Sequence, residues 1–136
     1  MAQGILVFIE ERDGKVKKTS LEALSAARKL ADTLQEPVAA VRIGAGEPSA
    51  NLAHYGADRI FCADHELLKS YATEAYGATV VQVAQKIEPR YILGAASSMG
   101  RDLLPRVAAK LGVGLAQDCI EAHVAGDQQL ECVRPI

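Results

Sequence analysis

The sequence predicts an α/β fold: an open, mostly parallel, doubly wound sheet with a β-hairpin at its C-terminal end. Short apolar runs alternate with helical stretches, at the spacing of parallel strands joined by right-handed crossovers. Size agrees. The chain has 136 residues, 49% hydrophobic and 24% charged. That is ordinary composition for one domain, and a chain of this length buries about two-thirds of its unfolded surface without a disulfide or metal. Residues 1–136 therefore read as a single α/β domain.

The first strand is Ile5-Leu6-Val7-Phe8-Ile9, continuous and rich in β-branched residues, as a strand covered on both faces should be. The polar stretch from Glu10 to Lys18 follows, with Asp13-Gly14 as its turn signal. Thr19 and Glu22 have capping-box spacing at the start of a helix. Leu24, Ala27, Ala31 and Leu34 line one face of it, and Pro37 stops it. Val38 to Ile43 is the second strand. Pro48 suits the first turn of a short helix that ends at Gly56, a natural left-handed cap. Arg59 to Ala63 is the third strand. The next helix carries Tyr76, Val80, Val83, Ala84 and Ile87 on one face and closes at Pro89. Tyr91 to Gly94 is the fourth strand. A small-residue loop, Ala95 to Gly100, leads into a helix with Leu104, Val107, Ala108 and Leu111 facing inward and Gly112 and Gly114 breaking it. Asp118 to Val124 and Gln129 to Val133 complete the hairpin around Ala125-Gly126-Asp127-Gln128. The run from Leu130 to Ile136 is still strand-like, which suggests part of a longer polypeptide.

Composition excludes several function classes. Aromatics are 4% and Trp is absent, which argues against a base-stacking nucleic-acid reader. The net charge of −2 lacks the basic excess of a DNA-binding domain. No apolar run approaches the length of a bilayer span, so membrane insertion is not expected, and no signal peptide is legible. Cys62, Cys119 and Cys132 are odd in number and form no C-x-x-C pair. They read as small hydrophobes in a reducing cytoplasm, and no zinc-ligand spacing links them to His54, His65 or His123.

Ligands of open α/β sheets sit at the carboxyl ends of the strands, where the strand order reverses. With the first strand central, that point lies between the loops Glu10–Gly14 and Ala95–Arg101. The second loop is the anion-site candidate. Ser97, Ser98 and Gly100 let backbone amides approach an anion, the helix N-terminus is partly positive, and Arg101 adds charge. The plainer reading is a tight turn or an interface with a partner. The loop is neither G-x-G-x-x-G nor a P-loop. Asp102 reads as a helix N-cap, with Pro105 in the first turn. Glu10-Glu11 reads as a solvated pair pointing in different directions. Asp64-His65 lacks a nucleophile to serve, Tyr55, Tyr71 and Tyr76 read as packing with wet hydroxyls, and the three lysines between Lys15 and Lys18 as a solvated loop. No catalytic and no metal-ligating residue is expected.

Two stretches carry a family resemblance. The run from Ala50 to Phe61, with Gly56-Ala57-Asp58 ahead of an apolar strand, resembles a segment of the electron transfer flavoprotein alpha subunit. The run from Gly94 to Leu111, with its small-residue loop, Gly100-Arg101-Asp102 and Leu104-Pro105-Arg106-Val107-Ala108, is similar to that subunit's most recognisable N-terminal stretch. The likeness covers essentially the whole chain. It implies a Rossmann-like, adenine-nucleotide-hydrolase-like scaffold domain that packs against the beta subunit and supports a C-terminal domain carrying FAD. It also implies that the parent heterodimer takes electrons from dehydrogenases and passes them to a quinone oxidoreductase or another acceptor. No flavin-binding motif can be placed on any residue here, so FAD is expected of the full-length parent and not of this chain. Ser97, Ser98, Gly100 and Arg101 then become interface or positioning groups. The rival reading is a self-contained ATP- or AMP-binding protein resembling the universal stress proteins.

Overall fold

The computed structural model describes residues 3–47, 50–116, 121–124 and 130–133. In chain order the elements are β1 (Ile5–Ile9), β2 (Glu11–Arg12), β3 (Lys15–Val16), α1 (Lys18–Leu34), β4 (Val38–Gly44), a 3-10 turn (Leu52–Tyr55), β5 (Arg59–Asp64), a second 3-10 turn (Glu66–Leu68), α2 (Thr73–Ile87), β6 (Tyr91–Leu93), α3 (Ser98–Leu111), β7 (Glu121–Val124) and β8 (Leu130–Val133).

The principal sheet has the order β5-β4-β1-β6, and every pairing in it is parallel. Its register sets Ile5 beside Val38 on one side and Tyr91 on the other. All residues of β1 and β4 are buried, which is why both read as continuous apolar runs. Alternation along β1 splits the core in two. Ile5, Val7 and Ile9 pack with Leu24, Ala27 and Leu30 of α1. Leu6 and Phe8 pack with Tyr76 and Val80 of α2 and with Leu103 and Val107 of α3. Helices thus cover both faces, the doubly wound arrangement expected. β7 and β8 pair antiparallel, as the expected hairpin requires; its turn residues lie outside the described residues.

Several local expectations are corrected. The Glu10–Lys18 stretch is a small hairpin, with β2 and β3 antiparallel around Asp13 (φ 52°) and Gly14 (φ 77°). Positive φ at both turn residues is the backbone that matches strand twist in a two-residue loop. The Thr19–Glu22 capping box does not form. The Lys17 N–H donates to the Glu10 carbonyl at 2.9 Å, which places Lys17 at the N-cap of α1 and Thr19 inside the helix. Pro48 lies outside the described residues, and the short helix is a single 3-10 turn capped by Asn51. Gly56 ends it at φ 117°, where a Cβ would also stand 2.8 Å from the Arg28 Cβ.

Asp102 is not the cap of α3. Ser97 is: its Oγ accepts from the Gly100 N–H at 3.1 Å. The helix therefore starts at Ser98, and Pro105 lies in its interior. The Asp102 carboxylate instead accepts from Thr73 Oγ1 (2.6 Å) and Tyr71 Oη (2.7 Å), and these bonds hold its carboxyl below the usual range. Of the expected inward face, Val107 is buried, while Leu104, Ala108 and Leu111 are half-buried; Leu103 takes the central place in the core. Nor is the Tyr76 hydroxyl wet, since Tyr76 Oη donates to the Leu68 carbonyl at 2.6 Å in a partly buried position. Cys62 and Cys132 are exposed, Cys62 because it lies on the edge strand β5; Cys119 lies outside the described residues.

Candidate functional site

The order β5-β4-β1-β6 puts the chain reversal beside β1, so the loops after β1 and β6 meet at one point. Glu10, the first residue beyond β1, is 6% exposed. Its carboxylate Oε1 accepts a short hydrogen bond from the Ser97 hydroxyl, and its Oε2 lies 3.7 Å from Lys17 Nζ. Its own N–H donates to Ser20 Oγ at 2.9 Å, inside the first turn of α1. Because Ser97 also caps α3, one carboxylate ties the end of β1 to the starts of two helices. Gly100 completes the seat. A Cβ there would stand 2.0 Å from the Ala95 carbonyl oxygen, so only glycine lets the loop fold back this closely.

The four loop residues singled out by sequence divide into two pairs. Ser97 and Gly100 turn inward to Glu10, whereas Ser98 and Arg101 are exposed. Sequence reasoning missed Glu10 as their partner. The signal was available: a carboxylate directly after the central strand faces the loop across the reversal.

Glu11 goes elsewhere, as adjacent residues should, but it is not solvated. It forms a bidentate pair with Arg42, Oε2 to Nε at 2.8 Å and Oε1 to Nη2 at 2.9 Å. Arg42 is 1% exposed, and its other donors reach the carbonyls of Gly46 (2.6 Å) and Ala45 (3.1 Å). A buried guanidinium demands such complete pairing. The Glu11 bond is the main reason the Arg42 pKa is raised further. This pair pins the β2–β3 hairpin onto the end of β4. Asp64 and His65 are also absorbed by backbone: Asp64 Oδ1 accepts from Gly46 N–H at 2.8 Å, and His65 Nδ1 from Leu67 N–H at 3.0 Å.

Among the described residues no group of three metal-ligating side chains comes together, and no helix is long and apolar enough to cross a membrane. A groove of about 1010 Å³ runs between α1, β6 and α3, and it does not fit FAD: its ionised lining is Glu22, Glu88 and Arg90, the last paired with Glu36. Two carboxylates and an engaged arginine are a poor seat for a diphosphate.

Comparison with known proteins agrees with the resemblance noted above. Residues 5–136 match the electron transfer flavoprotein domain family. The electron transfer flavoprotein subunit alpha of Thermoanaerobacterium thermosaccharolyticum is 38% identical over 133 residues, covering 96% of this chain and 40% of that protein. Protein FixB of Clostridium saccharobutylicum is 39% identical over 123 residues, covering 90% and 37%. The acryloyl-CoA reductase electron transfer subunit beta of Anaerotignum propionicum is 41% identical over 122 residues, covering 88% and 33%. The chain spans between 33% and 40% of the length of these relatives.

Proposed function

Since this chain belongs to the electron transfer flavoprotein family, we infer that it serves as the N-terminal scaffold domain of an alpha-type subunit. In this reading it packs against a beta-type subunit and supports a separate domain that holds FAD, and the assembled protein carries electrons from dehydrogenases to a quinone oxidoreductase or another acceptor. The observation that carries the reading is the family match across residues 5–136 in a chain that spans at most two-fifths of the relatives named above. The arrangement at the end of β1 supports it. Its polar groups are spent on one another, which suits a joint that positions a surface and not a centre that turns over substrate.

Ser98 and Arg101, on the outer side of the α3 start, are the contact candidates, with Ser97 and Gly100 holding them in place. Arg101→Ala tests this. Thermal unfolding of the 136-residue chain and its affinity for a beta-type subunit are measured together. The expected result is a weakened association with little change in melting temperature. A large loss of melting temperature with unchanged affinity refutes the interface role. Absorbance checks the cofactor: the chain alone should show no flavin bands and should not be reconstituted by micromolar FAD.

A further inference from the structure

A parallel sheet of this type presents its anion-binding point where the order reverses, with the N-terminus of the following helix as the donor. In this chain that point already holds an anion. Glu10 comes from the central strand and is 6% exposed. Its two oxygens meet the Ser97 hydroxyl and the Lys17 ammonium. Ser97 relays the contact to the Gly100 N–H of the first turn of α3. A serine hydroxyl, a lysine and the first-turn amides are the donors an incoming phosphate would need. A cavity of about 50 Å³ on the same loop is walled by Gly94, Ala95, Gly100, Arg101, Leu104 and Leu115, and none of Glu10, Ser97 and Lys17 lines it. Small-molecule sites are several-fold larger, about 300–1,000 Å³.

We propose that Glu10 is the resident anion of this point and closes it to phosphate esters. It determines specificity by exclusion. The fold's ordinary ligand class is refused because a tethered carboxylate holds its donors at a local concentration no free phosphate matches, and because two anions in one small pocket repel. The arrangement stands whether or not the chain associates with a second subunit. Lys17 is the third participant: freed of Glu10, its ammonium faces the same point as Ser97.

The test is an amide chemical-shift titration of the 136-residue chain with inorganic phosphate and, separately, with AMP. The wild-type amides of Gly100 and Arg101 should not move at millimolar ligand. Glu10→Ala vacates the pocket, and these amides should then shift and saturate with phosphate, at an affinity at least about tenfold above the wild-type limit. Adding Lys17→Met should reverse most of that gain. Glu10→Ser also vacates the pocket while leaving a small polar group there. If Glu10→Ala does not fold, Glu10→Ser must show phosphate-dependent shifts at Gly100. Saturable binding of phosphate or AMP at Gly100 in the wild type overturns the proposal. So does a folded Glu10→Ala, or failing that a Glu10→Ser, that gains none.

Discussion

Truncating neighbouring leucines of α3 should separate the side chain that closes the core from the one beside it. Leu103 is fully buried and sits among Tyr76, Val80 and Val107. Its Cδ1 lies 3.8 Å from where a Cβ on Gly77 would stand, so the contact between α2 and α3 closes on it. A cavity at such a site is lined by rigid helix on both sides and cannot collapse. Leu103→Ala should cost about 3 kcal/mol, within the range of about 2–5 for buried leucines. At roughly 4 °C per kcal/mol for a chain of this size, the midpoint should fall by roughly 10–15 °C. Leu104 is half-buried, rests on Gly94 and borders the groove beside β6. Its truncation should cost only about 1 kcal/mol. Urea and thermal unfolding followed by circular dichroism distinguish the two. A Leu104→Ala loss equal to that of Leu103→Ala, or a Leu103→Ala midpoint unchanged within error, refutes this assignment of faces.

Three further outcomes are expected. Gly100→Ala drives a methyl group against the Ala95 carbonyl and should destabilise by about 1–3 kcal/mol or more, read from the urea midpoint; a neutral result means the loop has room to shift. Arg42→Met should cost about 3–5 kcal/mol by leaving Glu11 buried and alone, whereas pairing it with Glu11→Leu should recover most of that loss in the same assay. Glu36 has its carboxyl pKa lowered by the hydrogen bond from Arg90 and then by the Gly4 N–H. A lowered native pKa means the unfolded chain binds the proton more readily, so this contribution is whole above the ordinary Glu range and is lost as pH falls through the depressed value. The wild type should therefore lose more stability than Glu36→Gln between neutral and acid pH, and equal slopes would exclude the effect.

The buried strands, the faces of α1 and α2 and the parallel order were legible because each is written locally, in apolar period and in Gly and Pro punctuation. The Asp13-Gly14 turn was visible too, but not its hairpin, since strands of two charged or half-buried residues carry no alternation to read. Asp102, three residues before Pro105, has the chemistry of a helix N-cap but not its position. A serine earlier in the loop had already taken the amide, and packing tolerates the proline inside the helix. Glu10 and Glu11 were hardest. Acidic residues are assumed exposed, and their partners Ser97 and Arg42 lie far along the chain, where no local pattern connects them. The candidate loop was thus located from sequence, while the group that fills it required the fold.

The central position of β1 also bears on synthesis. Its two neighbours, β4 and β6, are both made later, and β6 only after both flanking helices. At about 5–20 residues per second, the most apolar run of the chain waits several seconds beyond the ribosome without a partner strand. Immediately behind it stand Glu10, Glu11, Arg12, Asp13 and Lys15. In the nascent chain these are gatekeepers, keeping an adhesive strand dispersed by charge. The two glutamates are then drawn inside as Ser97 and Arg42 arrive, so the residues that protect the unfinished chain become joints of the finished one.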